Sequence, residues 1–371
     1  MKITRVRVQR LRTVLDPPFY AAWDPDPRVA FDATIVRVET DEGVTGIGSG
    51  DTMTGFAEFE HLFVGRDPLE LARHARTLET ISFHAGRYWP VEAALWDLAG
   101  QVLGVPVAVL LGGAARRVPA YASWGELRLP AQRADDARAL VEGGFKAVKV
   151  RIARDRIAQG IAVVAAIRDA VGDALEVMVD LNQWWRMAGD IAPGLGPAEA
   201  RRAIDRLAEH GVLWVEEPLA GSDLDGMRML RQSSGVRIAG GEMARTFDEL
   251  RLALENDALD VLQPDAVLAL GISGVRTLAE LALRRNRWFT PHTWTNGIGL
   301  LANLHLCCGV GGGPFVEFPF DPPGWTPERR DFMLRSPLRV DPADGCLAVP
   351  ESAGLGISLD EDAVRRYSVP E

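Results

Sequence analysis

Three acidic residues, each at the end of a short apolar run, could bind one cation together. The runs are Glu176–Asp180, Trp214–Glu216 and Ile238–Glu242. A carboxylate that follows a buried strand lies at the strand's C-terminal end, where the side chains of a parallel α/β barrel converge. Converging carboxylates repel one another unless a cation lies between them, and oxygen ligands favour a hard ion. The sequence therefore predicts one Mg²⁺ bound by Asp180, Glu216 and Glu242.

Other reactive side chains follow the remaining apolar runs. Lys149 and Arg151 are two residues apart, so on one strand they project to the same side. Asp265, His292 and Glu317 continue the series, and the successive spacings from Asp180 to Glu317 are 36, 26, 23, 27 and 25 residues. A barrel repeats about every 30 residues, so this period places all of these residues at strand ends. An imidazole there could move a proton while an aspartate fixes its tautomer.

Eight apolar runs alternate with amphipathic segments from residue 118 onward. The predicted strands are Val118–Ser123, Ala147–Arg151, Glu176–Asp180, Val212–Glu216, Arg237–Gly240, Val261–Gln263, Trp288–Thr290 and Phe315–Glu317. The predicted helices are Ala131–Glu142, Ile157–Ala170, Pro197–Glu209, Asp223–Gln232, Thr246–Asn256 and Ile272–Arg284. This alternation is typical of parallel strands, and eight of them close into a barrel. An open doubly wound sheet is the alternative, but no glycine-rich phosphate turn follows the first strand.

The two ends of the chain have different patterns. Residues 1–55 alternate as antiparallel strands, interrupted by the proline- and aromatic-rich Asp16–Pro27, which is predicted to be a loop that lies on its own domain or covers a pocket. Residues 56–112 are predicted to be helical. The tail contains two short predicted strands, Leu338–Asp341 and Cys346–Pro350, and a last helix. We predict an α+β domain over 1–117, a barrel over 118–330, and a segment over 331–371 that packs back on the first domain.

Composition excludes several classes of function. The 371 residues carry a net charge of −10, from 41 basic and 51 acidic side chains, and contain no basic block. Binding to nucleic acid or to an anionic membrane is therefore not expected. The N-terminus alternates like a strand rather than a signal peptide, and no apolar run is long enough to span a membrane. A cytoplasmic protein is expected.

Taken together, these motifs resemble the enolase superfamily, in its mandelate racemase subgroup, over essentially the whole chain. The matching segments are Ala93–Gly100, Lys149–Arg151, Asp180–Asn182, Glu216–Pro218, Gly241–Glu242, Gln263–Asp265, His292 and Glu317. The resemblance implies a modified TIM barrel of (β/α)7β type, with an N-terminal α+β capping domain that the C-terminal segment completes. It also implies one Mg²⁺ per subunit, a small-molecule carboxylate as substrate and a homo-oligomer.

The resemblance also assigns roles to the site residues. Asp265 and His292 would form a hydrogen-bonded dyad, and Glu317 would lie near the substrate carboxylate. The Phe19–Trp23 loop and Thr52–Phe56 would cap the barrel and set specificity. The candidate lid and substrate residues are Tyr20, Trp23, Asn182 and Trp294.

The expected chemistry is removal of a proton next to a carboxylate. The resulting enediolate carries a second negative charge, which Mg²⁺ and Lys149 can neutralise. Where related racemases have a second lysine as base, this chain has Arg151, which stays protonated and is a poor base. We therefore predict a carbon–oxygen lyase that dehydrates an aldonate or aldarate to a 2-keto-3-deoxy acid.

Other functions stay open at this point. The first alternative is a racemase or epimerase of a hydroxy acid or an amino acid derivative. A cycloisomerase is less favoured, because that branch of the superfamily usually has a lysine where Asp265 stands. A non-catalytic acid-binding protein forms a second class. A zinc hydrolase ranks last, since His292 is the only histidine predicted at a strand end.

Overall fold

The computed structural model describes residues 1–50 and 53–370. The chain begins with three antiparallel strands in the order β1-β2-β3, namely β1 (Ile3–Phe19), β2 (Arg28–Thr40) and β3 (Thr45–Gly50). Val8 pairs with Val36 and Thr34 pairs with Gly50, so β2 is the central strand. The predicted antiparallel β-structure at the N-terminus is confirmed.

Helices cover this sheet, as the sequence predicts for residues 56–112. A short 3₁₀ helix spans Phe56–Leu62, and α1 (Leu71–His84), α2 (Trp89–Leu103) and α3 (Val107–Leu110) follow. α2 lies so close to β3 that a Cβ added at Gly46 or Gly48 would be 2.0 Å from a carbonyl oxygen of α2. The absence of a side chain at these two positions therefore permits the helix to pack directly on the strand.

Seven β/α units and a final strand form the barrel. The strands are β4 (Arg117–Ser123), β5 (Ala147–Arg151), β6 (Glu176–Asp180), β7 (Trp214–Glu216), β8 (Arg237–Gly240), β9 (Val261–Leu262), β10 (Trp288–Phe289) and β11 (Val316–Pro319). The helices are α4 (Pro130–Glu142), α5 (Ile157–Val171), α6 (Pro197–Ala208), α7 (Leu224–Ser233), α8 (Phe247–Glu255), α9 (Gly271–Arg284) and α10 (Gly297–Val310). The strands are parallel in the order β10-β9-β8-β7-β6-β5-β4-β11, so the last strand returns to pair with the first. The predicted modified barrel is confirmed.

The barrel helices pack one apolar face on the strands. In α6, the buried residues Ala200, Ala203, Ile204 and Leu207 recur at helical spacing. Helix α10 differs, because every residue from Gly297 to Gly309 is buried. A helix that is buried on all sides has no amphipathic period, which explains why the sequence patterns did not predict it.

Two sequence predictions of secondary structure are wrong. Asp16–Phe19, predicted as part of a loop, belongs to β1, although the pairing of β1 with β2 is irregular between Val14 and Phe19. Leu338–Asp341 is not a strand, and Asp341 forms only an isolated bridge with Cys346. Prolines lie in or beside both segments, so local patterns could not separate strand from loop.

The C-terminal segment contacts both parts of the molecule. Its strand β12 (Cys346–Ala348) pairs antiparallel with β4, after a short helix α11 (Pro327–Arg330). Its last helix, α12 (Glu361–Tyr367), brings Val364 into a cluster with Leu11 and Ala33 of the N-terminal sheet. The predicted domain boundaries after residues 117 and 330 stay predictions. Within the described residues, no helix is long and apolar enough to cross a bilayer.

Candidate active site

The strands of the barrel deliver the predicted side chains to one end. Asp180 and Glu216 are the last residues of β6 and β7, and Glu242 follows β8 by two residues. Each of these carboxylates has 2% or less of its surface exposed. One ligand atom from each lies within 4.8 Å of the others, so the structure brings the predicted triad together.

This triad has the donors that Mg²⁺ requires. Three buried carboxylates so close together repel one another, and a cation relieves the repulsion. Oε2 of Glu242 is buried and forms no hydrogen bond of good geometry among the described residues, although Nε2 of His292 lies 3.2 Å away. Three neighbouring carboxylates with no nitrogen or sulfur in the set fit a hard divalent cation.

Lys149 lies at the centre of the acidic cluster. Its ammonium Nζ is 2.8 Å from Oε1 of Glu216, 3.5 Å from Oδ2 of Asp180 and 2.8 Å from Oε1 of Glu317. The side chain is fully buried, as are all three carboxylates. A buried charge needs such partners, and a cation in this position also favours negative charge on a bound substrate.

Asp265 and His292 form the predicted dyad. Oδ2 of Asp265 is 3.0 Å from Nδ1 of His292, and the backbone N–H groups of Val267 and Leu268 donate to Oδ1 of Asp265. The other ring nitrogen of His292, Nε2, is 3.2 Å from Oε2 of Glu242. The aspartate is thereby held in place and orients the imidazole with Nε2 toward the triad.

The charges around His292 and Glu317 favour their ionised forms. Burial alone lowers the pKa of His292, but the carboxylates of Glu242, Glu317 and Asp265 outweigh it and raise the pKa to about 9. Burial raises the pKa of Glu317, whereas the cations of Lys149, His292 and Arg151 lower it well below its usual range. Oε2 of Glu317 also accepts the backbone N–H of Thr293 at 2.8 Å.

Arg151 is bound as a cation beside Asp180. Its Nη1 donates to Oδ2 of Asp180 and, at 3.1 Å, to Oδ1 of Asn182. Its Nε donates to the carbonyl of Trp124 at 3.2 Å. A guanidinium paired in this way keeps its proton. Asn182 in turn donates its backbone N–H to Oδ1 of Asp180 at 2.8 Å, so the predicted residue supports a metal ligand.

Aromatic rings cover Arg151. The guanidinium carbon lies 4.8 Å from the ring centre of Trp23 and 5.7 Å from that of Trp294, within cation–π range. The two rings meet edge to face at 4.8 Å, and Phe19 stacks on Trp294 at 5.9 Å. The structure therefore places Trp23 and Trp294 against Arg151, and their role in binding a substrate stays a prediction.

The roles predicted for Tyr20 and for Thr52–Phe56 stay predictions. The side chain of Tyr20 is 60% exposed. Thr52 lies outside the described residues, and the ring of Phe56 packs against Phe63 and Tyr88 within the N-terminal part. Sequence position alone could not show which of the aromatic residues after β1 turns toward the barrel.

Several residues beside the triad were not among the predicted site residues. Nε1 of Trp185 donates to Oε1 of Glu242 at 2.8 Å, and Nε2 of Gln263 donates to Oε2 of Glu216 at 2.9 Å. Burial, followed by the charges of Glu242 and Glu216, raises the pKa of Glu217 well above its ordinary value. The sequence could have indicated Gln263 as a site residue. It precedes Asp265 by two residues, and residues two apart on a strand point to the same side.

Gly125 permits the rings of the predicted lid to pack closely together. A Cβ at this position would lie 2.5 Å from Cζ of Phe19, 2.8 Å from Cη2 of Trp294 and 3.2 Å from Cη2 of Trp23. We expect Gly125→Ala to lower the free energy of unfolding by about 1–3 kcal/mol, the usual result of overpacking. We also expect kcat/KM to fall, because Trp23 and Trp294 must move from Arg151.

Urea unfolding and steady-state kinetics would measure both effects. Gly235→Ala is the matched control, because a Cβ there meets no atom within 4 Å. Equal stability and kcat/KM in the two variants would contradict the close packing of the lid on Gly125.

Family models match most of the chain. The model described as Enolase C-terminal domain-like matches residues 132–363, and the model described as Mandelate racemase / muconate lactonizing enzyme, N-terminal domain, matches residues 28–112. Together with the barrel and its strand-end acids, these matches show that the chain belongs to the mandelate racemase and muconate lactonizing enzyme family of the enolase superfamily.

The chain is similar over its full length to enzymes with different reactions. It is 29% identical to the D-galactarolactone cycloisomerase of Agrobacterium fabrum, covering 100% of both chains. It is 30% identical to the D-galactonate dehydratase of Ralstonia pickettii, covering 98% of this chain and 94% of that one. It superposes on a racemase from Streptomyces coelicolor with bound magnesium at a TM-score of 0.84, with 27% identity and 99% and 100% coverage. The comparisons support an enzyme.

Proposed function

We propose that this protein is a Mg²⁺-dependent acid sugar dehydratase. The observation that carries the proposal is the asymmetry of the site, with one imidazole beside the triad and a paired arginine where a second base would stand. Arg151 is bound to Asp180 and Asn182 and keeps its proton, so it cannot complete a two-base racemase. Dehydratases among the similar proteins, including the D-galactonate dehydratase of Ralstonia pickettii, support this choice.

The reaction breaks one carbon–hydrogen bond and one carbon–oxygen bond. His292 in its neutral form removes the proton next to the substrate carboxylate through Nε2, while Asp265 holds Nδ1. A cation held by the triad would favour that neutral form, because it would offset the charge of Glu242 that raises the pKa of His292. The negative charge that develops on the carboxylate is stabilised by the buried ammonium of Lys149. The imidazolium then donates its proton to the departing β-hydroxyl, which leaves as water. The enol that remains tautomerises to the 2-keto-3-deoxy acid.

The other residues hold the substrate and the charge in place. Asp180, Glu216 and Glu242 would bind Mg²⁺, which when bound supplies further positive charge for the substrate carboxylate. Glu317, ion-paired to Lys149 at 2.8 Å, keeps that ammonium in position. The rings of Trp23 and Trp294 exclude water from the covered side of Arg151.

Cycloisomerisation is a second candidate, favoured by the similarity to D-galactarolactone cycloisomerase along both whole chains. Chemically it needs the same first step, removal of a proton next to a carboxyl group. The leaving oxygen then belongs to a ring and stays attached to the product, so no water is lost. The residues described above could perform either elimination.

The decisive experiment supplies the purified protein and Mg²⁺ with aldonates, aldarates and their lactones in deuterated water. A 2-keto-3-deoxy acid formed from an open-chain acid, with loss of water, would support the dehydratase. A 2-keto-3-deoxy acid formed by ring opening of a lactone, with water neither lost nor added, would replace it with the cycloisomerase. Deuterium incorporation without elimination would favour a racemase or epimerase, and binding without turnover would favour the non-catalytic class.

A further inference from the structure

A cleft of about 580 Å³ opens beside the candidate active site. Its walls are residues 22–25 at the end of the predicted lid, residues 151–155 from the end of β5 onward, and the long loop after β6. Its lining includes Arg151 and Asn182, which both contact Asp180 of the triad. A substrate bound beside Asp180 would therefore have this cleft within reach of its far end.

Two arginines in the cleft share one carboxylate. Arg154 makes a bidentate ion pair with Asp190, at 2.8 Å and 2.6 Å. Arg186 is 4.0 Å from the same aspartate, at the limit of an ion pair. Because Arg154 already occupies both oxygens of Asp190, the charge of Arg186 is not fully neutralised.

The remaining contacts of Arg186 are long. Its Nη1 donates to the carbonyls of Gln183 and Trp185 at 3.4 Å, and its Nη2 donates to Oε1 of Gln183 at 3.4 Å. Good N–H···O hydrogen bonds are about 2.7–3.2 Å long. The guanidinium, whose side chain is 27% exposed, can therefore bind a further acceptor with little loss.

The other acids of the cleft do not supply that acceptor. Asp24 pairs with Arg28, and Asp155 lies 3.7 Å from Arg156. Neither Arg28 nor Arg156 lines the cleft. Asp190, together with Asp155, raises the pKa of Arg154. Among the ion pairs of the described residues, Arg186 has only the 4.0 Å contact with Asp190, so its guanidinium charge is available to a ligand.

We propose that Arg186, positioned beside the Arg154–Asp190 pair, binds a second anionic group of the substrate. The group is a carboxylate or a phosphate ester at the end remote from the reacting carboxylate, since a guanidinium binds either one bidentately. This inference rests on the proposed function, because it names the class of acid sugar that the same site takes. Substrates with a neutral far end are expected to be poorer.

Kinetics on matched substrates tests the inference. Galactarate, galactonate and galactonate 6-phosphate share one carbon skeleton and differ at the far end. We expect at least one of the two doubly anionic acids to exceed galactonate in kcat/KM, and its identity distinguishes carboxylate from phosphate. Arg186→Gln is expected to lower that preference by about 10-fold or more, the usual effect of losing a hydrogen bond to a charged group. The loss is expected mainly in KM, and Arg186→Lys should restore part of it.

Binding of non-reacting acids separates this inference from the proposed reaction. Adipate and hexanoate have no hydroxyl group to eliminate and differ only in the second carboxylate. With Mg²⁺ present, calorimetry should show tighter binding of adipate, and Arg186→Gln should remove the difference. If no sugar acid is turned over but adipate is still preferred through Arg186, the proposed reaction fails and the anionic subsite stands.

Arg201→Gln provides the matched control. Arg201 lies on α6, pairs with Asp205 at 2.7 Å, and is absent from the residues that line the cleft. The Arg201→Gln variant should keep the wild-type preference for the acid with a second anionic group. Equal binding of adipate and hexanoate, or an unchanged substrate preference in Arg186→Gln, would overturn the proposal.

Discussion

Replacing His292 with asparagine is expected to lower kcat for dehydration by about 10³-fold, within the range that general acid–base catalysis contributes. Asparagine can still donate to Asp265 but can neither take nor give a proton at the position of Nε2. In the structure that nitrogen is the imidazole atom nearest the triad, 3.2 Å from Glu242. The variant should therefore bind the substrate and fail to convert it, which stopped-flow and steady-state assays of 2-keto acid formation would measure.

Two further variants make this result specific. His84→Asn changes an exposed histidine of α1 and should keep wild-type activity. Asp265→Asn should lower kcat by about 10- to 100-fold, because it removes the charge that orients the imidazole. The Mg²⁺-induced rise in stability should persist in His292→Asn, since the triad is intact. Retained elimination in that variant would mean that another group moves the proton.

The candidate site could be predicted because strand ends impose a period. A residue at the C-terminal end of a parallel barrel strand has its direction fixed by the alternation of side chains along the strand. Asp180 and Glu216 end their strands, so their convergence follows from the barrel. The regular spacing of Glu242, Asp265 and His292 also predicted positions at strand ends. In the structure, Oδ2 of Asp265 lies 3.0 Å from Nδ1 of His292.

Contacts made by loops could not be predicted in this way. The loop after β6 has no period, so nothing in the sequence indicated that Trp185 would donate to Glu242. Arg151 presented a similar difficulty. Its position on β5 was predictable, but its contact with Trp23 depends on the path of a segment far away in the sequence. The alternation of side chains along a strand predicts which way a side chain points. It does not predict which distant residues pack on that side chain.

Replacing Glu242 with glutamine is expected to abolish the stabilisation of the protein by Mg²⁺. A ligand that binds only the folded state raises the free energy of unfolding by about 2.7 kcal/mol at 100 times its Kd. The wild type should show such an increase, and chelation should remove both the increase and the activity. In the variant a neutral amide replaces one of three anionic ligands, so binding of the ion weakens and kcat/KM should fall by at least ~10²-fold.

Glutamine keeps the size of the side chain and the acceptor for the indole N–H of Trp185, which in the wild type is 2.8 Å from Oε1 of Glu242. The packing should therefore survive, and chemical denaturation with and without Mg²⁺ would isolate the ion-dependent part. Glu176→Gln is the matched control, because this exposed acid lies at the opposite end of β6 from Asp180. It should respond to Mg²⁺ like the wild type. An undiminished response in Glu242→Gln would place the divalent ion elsewhere, and the assignment of the three carboxylates as its ligands would have to be withdrawn.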